Sequence, residues 1–384
     1  MSNGWADLPK ELLSIIGQRL DTHIDVCRFR AVCSSFRSTV PPSHRPFPRV
    51  VFQLPPPVFS NSLLSQIIIC RVQPAHETPS DSNANRSWLT KVEESTHGEL
   101  QLLAPFRNHQ LKNSPGKLPK TLNLLEFRLL ELCRGYTLKL ARGISVFGIN
   151  KVVLFPNSNS VPDNVNGYGL LAILHEGKLC YWSYGEEKWT FVDEKYFHYD
   201  DILIYRGQFY VVDRWGTVWW VDSSLKLIPY SPPLYGCGHM KHLVESSGDL
   251  YVVDRYLEGN RRTWTLDESI NLDMNNNLRY LGRNYPICRA ETVDIKIYKL
   301  NEEWGTWDDV TSLGDQIFVL GHECCFSVSA NEIGGCEGNS VYFTDPIDED
   351  LRGEISGSDA RVYKLADGCV MKAEPWIFST TNCV

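Results

Sequence analysis

The sequence predicts a small α-helical segment followed by an all-β domain, most consistent with a β-propeller of about six or seven blades. The first part of the chain carries apolar residues at helical spacing, whereas the rest is a series of short β-rich segments separated by glycine turns. Residues 207–214 (GQFYVVDR) are echoed by residues 248–255 (GDLYVVDR), and this offset of 41 fits one four-stranded blade of about 40 to 50 residues. A β-sandwich or a split barrel is the alternative fold.

Length and composition set the broad class. With 384 residues, 43% of them hydrophobic and 22% charged, the chain is long enough for one small and one large globular domain. A net charge of -8 argues against a nucleic-acid or anionic-membrane partner, and no apolar run approaches the roughly 20 residues of a membrane helix. The twelve cysteines include no Cys-x-x-Cys pair and no secretory signal pattern is evident, which favours reduced thiols in the nucleus and/or cytoplasm.

Two or three short amphipathic helices are predicted at the amino terminus. The first begins near Leu8 with Pro9 in its first turn, where the missing N–H is not needed. The second begins at Asp25, a favourable N-cap, and the run ends at Pro41. Their apolar stripes consist of Leu12, Leu13, Ile16 and Leu20 and then of Val26, Phe29, Cys33 and Phe36. Because so short a segment buries little surface, these stripes require either a partner protein or the body of the chain.

The residues of these helices carry a family resemblance. The run LPKELLSIIGQRL at 8–20, followed by DVCRFRAVCSSFR at 25–37, resembles an F-box. The resemblance implies docking on a Skp adaptor and, through it, on the cullin of a Skp-cullin-F-box ubiquitin ligase. The adaptor-binding residues that it implies are Leu8, Pro9, Leu12, Leu13, Ile16, Leu20, Val26, Phe29, Arg30, Val32, Cys33 and Phe36.

The domain organisation follows from these features. Residues 1–45 are assigned to the F-box, residues 46–60 to a stiff proline-rich connector that can hold two domains apart, and residues 61–384 to the β-propeller. The strands predicted most clearly in the propeller are 65–72, 88–94, 99–103, 151–155, 168–174, 178–183, 188–192, 202–205, 208–213 and 217–222. Segments 87–94, 122–128 and 151–157 resemble plant F-box proteins of the Skp-interacting-partner type, and this similarity spans nearly the whole chain.

Several groups of polar residues could carry other chemistry, but a structural interpretation is favoured for each. Cys237, His239 and His242 lack a fourth zinc ligand, and residues 322–325 (HECC) lack an oxyanion signature for a thiol nucleophile. The acidic run 345–350 has no calcium-loop pattern. Three aspartates that could meet near a propeller axis are better explained by turn chemistry: Asp213, Asp222 and Asp254. The sequence therefore predicts no catalytic residue, no metal and no cofactor.

The tryptophans are expected mostly to pack between blades. Candidates for a client-binding surface lie near turns, where Trp and Arg are common in binding hot spots. These residues are Trp215, Arg255, Arg261, Arg262 and Trp264. The expected function is a non-catalytic subunit that recognises an unidentified client protein for ubiquitination. The rival hypotheses are an F-box-bearing lectin or small-ligand sensor, and a propeller enzyme with vestigial helices.

Overall fold

The structure is a computed structural model. It describes residues 5, 8–20, 23–41, 51–53, 61–74, 87–94, 100–103, 105–106, 127–140, 149–156, 168–174, 177–183, 186, 188–193, 198–258, 291–345 and 360–373. Within these ranges, no helix has the length and hydrophobicity needed to cross a membrane.

Three short helices form the amino-terminal module: α1 (Lys10–Gln18), α2 (His23–Val32) and α3 (Ser34–Thr39). Pro9 is the N-cap residue that precedes α1, one position before the first turn in which the sequence predicted it, and Glu11 places a negative charge in that turn. The extended backbone of Cys33 (φ -163°, ψ 177°) divides the second predicted run into α2 and α3. Gly17 lies against Val40, where a Cβ would collide with the valine side chain, so glycine permits the close approach of α1 to the end of α3.

The first sheet contains nine strands in the described part of the chain. Its order is β4-β3-β2-β5-β6-β7-β8-β9, and β1 pairs with β2. The strands are β1 (Val51–Gln53), β2 (Asn61–Pro74), β3 (Trp88–Glu94), β4 (Leu100–Leu103), β5 (Phe127–Leu140), β6 (Ile149–Pro156), β7 (Tyr168–Leu174), β8 (Leu179–Ser183) and β9 (Thr190–Phe191). Among the described residues, β5 and β6 share one pair, Tyr136 with Val152, so β6 to β9 form a nearly separate four-stranded meander.

The second and third sheets are four-stranded antiparallel meanders. The second contains β10 (Tyr199–Tyr205), β11 (Gln208–Asp213), β12 (Val218–Val221) and β13 (Leu227–Pro229); the third contains β14 (Met240–Ser246), β15 (Asp249–Leu257), β16 (Thr292–Asn301) and β17 (Thr306–Asp309). The sequence echo lies at equivalent places in the two sheets. Gly207 (φ 74°) and Gly248 (φ 85°) each end a two-residue hairpin turn in which both residues have positive φ, as type I′ turns require.

The fourth sheet has the order β19-β18-β20-β21-β22. Its strands are β18 (Gln316–Leu320), β19 (Cys325–Ser329), β20 (Ser340–Thr344), β21 (Ala360–Lys364) and β22 (Cys369–Lys372). β20 runs parallel to β18, because the chain makes the β18–β19 hairpin, passes through a short 3-10 helix (Ala330–Glu332) and returns to the other edge of β18. Unlike the two sheets before it, this sheet is therefore not a simple meander.

Hydrophobic clusters fill the spaces between successive sheets. Leu171 of the first sheet packs with Val211 of the second, and Val253 of the third packs with Phe318 of the fourth. A further cluster joins the fourth sheet back to the first, where Ile317 packs with residues of β2 and β3. This serial face-to-face packing is the arrangement of a β-propeller. The predicted fold class is confirmed, while the number of six or seven blades stays a prediction.

The helical module contacts the first sheet in the described residues. Ile24 of α2 is 5% exposed and packs in one cluster with Ile68, Val72 and Trp88. The guanidinium of Arg28, also in α2, donates a hydrogen bond to the carbonyl of Leu129 in β5. The sequence predicted a connector that can hold the two domains apart, but α2 packs on the first sheet, because the apolar surface of that sheet covers Ile24. The domain boundaries themselves stay predictions.

Candidate adaptor-binding and client-binding surfaces

The helical module uses much of its apolar surface to form its own core. Leu13 and Val26 are fully buried, and Phe29 and Phe36 pack with ring centroids 4.6 Å apart. Leu8, Leu20 and Cys33 pack partly buried against this core. The sequence predicted that all of these residues contact the adaptor, and this prediction is corrected for the residues buried in the core of the module. Three short helices are stable together only if they bury one another's apolar stripes, and Leu13, Val26, Phe29 and Phe36 form this internal core.

A second set of apolar residues remains in contact with solvent. Leu12, Ile15 and Ile16 of α1 are 47%, 48% and 38% exposed, and Val32 at the end of α2 is 59% exposed. The three α1 residues lie on one face because positions three and four apart are neighbours on a helix. Sequence reasoning omitted Ile15, although its spacing of three from Leu12 could have identified it. We name Leu12, Ile15, Ile16 and Val32 the apolar face.

Two predicted adaptor residues have other surroundings. Pro9 is exposed at the start of α1, beside the apolar face in sequence. Arg30 is partly buried, and its Nη1 donates to the carbonyls of Arg37 and Val40. These bonds satisfy carbonyl groups at the end of α3 that have no intrahelical partner. Arg30 therefore links α2 to the end of α3, which is a structural role.

Four neighbouring strands bring polar side chains together on the propeller side. β10 lies next to both β6 and β14, and β14 lies next to β19. Each of the four sheets contributes one residue to this axial cluster, which consists of Lys151, Asp201, His242 and Cys325. Lys151 forms an ion pair with Asp201 Oδ1, and the backbone N–H of Leu243 donates to Asp201 Oδ2 at 2.9 Å. Cys325 Sγ lies 3.7 Å from Asp201 Oδ2, 3.8 Å from His242 Nδ1 and 4.0 Å from Lys151 Nζ.

Burial sets the charges of the axial cluster. Burial lowers the pKa of His242 to about 3, so the imidazole is neutral at physiological pH. Burial also raises the pKa of the Cys325 thiol far above its ordinary value. Burial alone would lower the pKa of Lys151, but the Asp201 carboxylate more than reverses this and raises it. The cluster is thus one ion pair beside a neutral thiol and a neutral imidazole, and a protonated thiol of this kind is not a nucleophile.

The comparisons with known proteins agree with this architecture. The profile of the KIB1-4 beta-propeller family matches residues 53–364.

The chain belongs to this family.

The F-box protein SKIP23 of Arabidopsis thaliana is 31% identical over 95% of this chain and 90% of its own length. Two further Arabidopsis thaliana F-box proteins are 29% and 30% identical, covering 95% and 88% of this chain and 93% and 82% of their own lengths. The resemblance to plant F-box proteins with a propeller-like domain is thereby confirmed.

In this KIB1-4 propeller the residues predicted to bind a client differ in their surroundings. Trp215 is partly buried in the turn between β11 and β12, with the guanidinium of Arg214 5.6 Å from its ring. Arg261, Arg262 and Trp264 lie outside the described residues. Arg255 is a strand residue rather than a loop residue, and it is 3% exposed.

The surroundings of Arg255 explain this correction. Its Nη2 pairs with Asp345 at 3.2 Å, its Nε donates to Thr292 Oγ1 at 2.7 Å, and its guanidinium lies 4.5 Å from the Phe343 ring. Burial lowers the pKa of Arg255 to about 10, which leaves it charged at physiological pH. β15 continues to Leu257 because it pairs with β16 along that length, so Arg255 is sequestered between sheets. It is not available to a client protein.

Three of the other polar residues considered from the sequence have structural partners in the KIB1-4 propeller, whereas residues 346–350 of the acidic run lie outside the described residues. Asp213 accepts hydrogen bonds from the backbone of Trp215 and Thr217 at 2.9 Å, as the turn interpretation predicted. Asp254 instead forms a fully buried ion pair with Lys241 at 3.1 Å. His239 Nδ1 accepts a hydrogen bond from the backbone N–H of Leu257, and His242 Nδ1 lies beside Cys325 Sγ.

Proposed function

We propose that this chain is the substrate-recognition subunit of a Skp-cullin-F-box ubiquitin ligase. The F-box helices would dock on the Skp adaptor, the adaptor would connect them to a cullin, and the propeller would select target proteins in the nucleus or cytoplasm. Family membership and F-box relatives support the general role. The structural observation that carries the proposal is the apolar face, since Leu12, Ile16 and Val32 remain in water after the module has formed its core. A partner that covers these side chains accounts for them.

The proposed role is non-catalytic. Isopeptide bond formation belongs to the conjugating enzyme that the cullin recruits, and this chain raises the local concentration of a client lysine beside the thioester. The anchoring of α2 to the first sheet supports such a role. Because Ile24 packs between the helices and the sheet, a client held on the propeller keeps a defined position relative to the adaptor.

The adaptor test targets the apolar face in the full-length protein. Removing an apolar anchor near the centre of an interface costs about 2 kcal/mol, so Leu12→Asp with Ile16→Asp is expected to weaken binding of the purified Skp adaptor at least about 100-fold. Val293→Asp is the matched control, because Val293 is an apolar residue with 53% exposure on β16, far from the helices in sequence. Calorimetry or surface plasmon resonance measures the affinities.

Two results would contradict the proposal. One is adaptor binding by the double variant at the affinity of the unmodified protein. The other is an equal loss with Val293→Asp, which would show that the effect is unspecific. Circular dichroism verifies that each variant is folded. A reconstituted ligase then tests client selection, since proteins captured by the intact chain should be ubiquitinated with the unmodified F-box and not with the double variant.

A further inference from the structure

We propose that Asp201, His242 and Cys325 form a binding site for a single divalent ion of the zinc class at the inner edges of three sheets. The three residues belong to β10, β14 and β19, so each comes from a different sheet. Their donor atoms Oδ2, Nδ1 and Sγ lie within 4.8 Å of one another. This site is distinct from the adaptor surface and does not depend on the ligase proposal.

The spacing of the donor atoms fits a metal ion. The distances are 3.7 Å from Sγ to Oδ2, 3.8 Å from Sγ to Nδ1 and 4.0 Å from Nδ1 to Oδ2. The point equidistant from the corners of this triangle lies about 2.2 Å from each atom. Zinc binds sulfur at about 2.3 Å, imidazole nitrogen at about 2.0 to 2.1 Å and carboxylate oxygen at about 2.0 to 2.2 Å. An ion at that point would therefore need only small movements of the three side chains.

In the absence of an ion, His242 is the weakly bonded member of the cluster. His242 Nδ1 faces the thiol at 3.8 Å, and His242 Nε2 has no hydrogen-bond partner among the described residues, although it is buried. Coordination would give the Nδ1 lone pair a stronger partner than this long thiol contact, and it would leave the surroundings of Nε2 unchanged. The imidazole would then carry its proton on Nε2, the tautomer that Nδ1 coordination requires.

The surrounding groups would orient the ligands and determine which ions bind. Lys151 occupies Asp201 Oδ1, so only Oδ2 is free to bind, and the Leu243 N–H holds that oxygen in place. A thiolate and an imidazole favour zinc and related ions over magnesium or calcium. On binding, the ion displaces the thiol proton to solvent, and Lys151 Nζ, 4.0 Å from Sγ, stabilises the resulting thiolate. Three protein ligands leave a fourth position for water or another ligand.

The test uses full-length protein carrying no histidine tag, with zinc and cobalt(II) as the probes. We expect one zinc per chain by elemental analysis after extensive dialysis. Cobalt substitution should give a thiolate-to-cobalt charge-transfer band. Cys325→Ser and Asp201→Asn should each weaken zinc binding at least about 100-fold, since even residues that only orient the ligands alter affinity by about 10- to 100-fold.

The matched control is Cys324→Ser. Cys324 is the adjacent residue and is also buried, but its side chain packs in the cluster between the fourth and first sheets. This variant should keep zinc binding unchanged. Retention of wild-type zinc affinity by Cys325→Ser, or substoichiometric zinc in the wild-type protein, would overturn the proposal and leave a metal-free structural cluster.

X-ray absorption on the zinc-loaded wild-type protein decides the matter if the variants do not fold. A shell with one sulfur and otherwise nitrogen or oxygen neighbours supports the site. A shell with no sulfur, or with several sulfurs, overturns it.

Discussion

Replacing Lys91 with methionine should lower the free energy of unfolding by about 3 to 5 kcal/mol, the cost of breaking a buried ion pair from one side. Lys91 Nζ lies 2.5 Å from Glu323 Oε1, and the two side chains are 0% and 1% exposed. The second carboxylate oxygen, Oε2, has no hydrogen-bond partner among the described residues. Without the lysine, the Glu323 carboxylate would stay buried and would lose the largest favourable interaction that opposes its desolvation.

Urea unfolding, monitored by circular dichroism, measures this loss in the free energy of unfolding. Lys299→Met is the matched control, because Lys299 also bridges an acidic residue at 2.6 Å but with side chains 37% and 43% exposed, and it should cost less than about 1 kcal/mol. Lys91→Met with Glu323→Met should recover most of the loss, since an apolar pair of similar volume is commonly as stable as a buried ion pair. The reasoning is refuted if Lys91→Met costs no more than the control, or if the double variant is as unstable as the single one.

Three further predictions concern other parts of the molecule. Burial would raise the pKa of Glu302, but hydrogen bonds from Tyr205, Arg206 and Tyr230 lower it overall. The ionised carboxylate therefore stabilises the folded protein fully above the ordinary glutamate pKa, and this contribution is lost as the pH falls through the pKa of Glu302 in the folded protein. Glu302→Gln should flatten the acid side of a plot of melting temperature against pH, and an unchanged profile would disprove this. Ile24→Ala should cost about 2 to 5 kcal/mol in denaturant unfolding and speed proteolysis of the helical module; digestion at the wild-type rate would show that the contact with the first sheet is unimportant. Gly135→Ala should destabilise by about 1 to 3 kcal/mol, because its Cβ would lie 2.7 Å from Glu323 Cβ, and an unchanged urea midpoint would contradict that contact.

Local patterns allowed much of the fold to be predicted. β3, β7 and β11 have the predicted bounds, because each is a compact β-rich segment ended by turn residues. The parallel pairing of β18 with β20 could not be predicted, since it depends on which edge of β18 the chain reaches after leaving β19. Nothing in the periodicity of a strand specifies that choice.

The candidate sites show the same division. The apolar spacing correctly predicted amphipathic helices. Spacing alone cannot specify which apolar residue faces a neighbouring helix and which faces water. Val26 and Phe29 are therefore core residues, and replacing both with alanine would test the folding of the module more than its binding surface. The axial cluster could not be predicted from the sequence, because its members are up to 174 positions apart in the chain. The sequence grouped His242 with Cys237 and His239, whereas its Nδ1 lies beside Cys325 Sγ.

The contact of the fourth sheet with the first has a consequence for synthesis on the ribosome. Lys91 and Glu323 are 232 residues apart in the chain. At elongation rates of about 5 to 20 residues per second, the lysine emerges roughly 10 to 50 s before its partner exists. During that interval the surfaces of β2 and β3 that later cover Ile317 remain open to other nascent chains. Chaperone demand for this protein should therefore be greatest late in translation, and release from chaperones should follow completion of the fourth sheet.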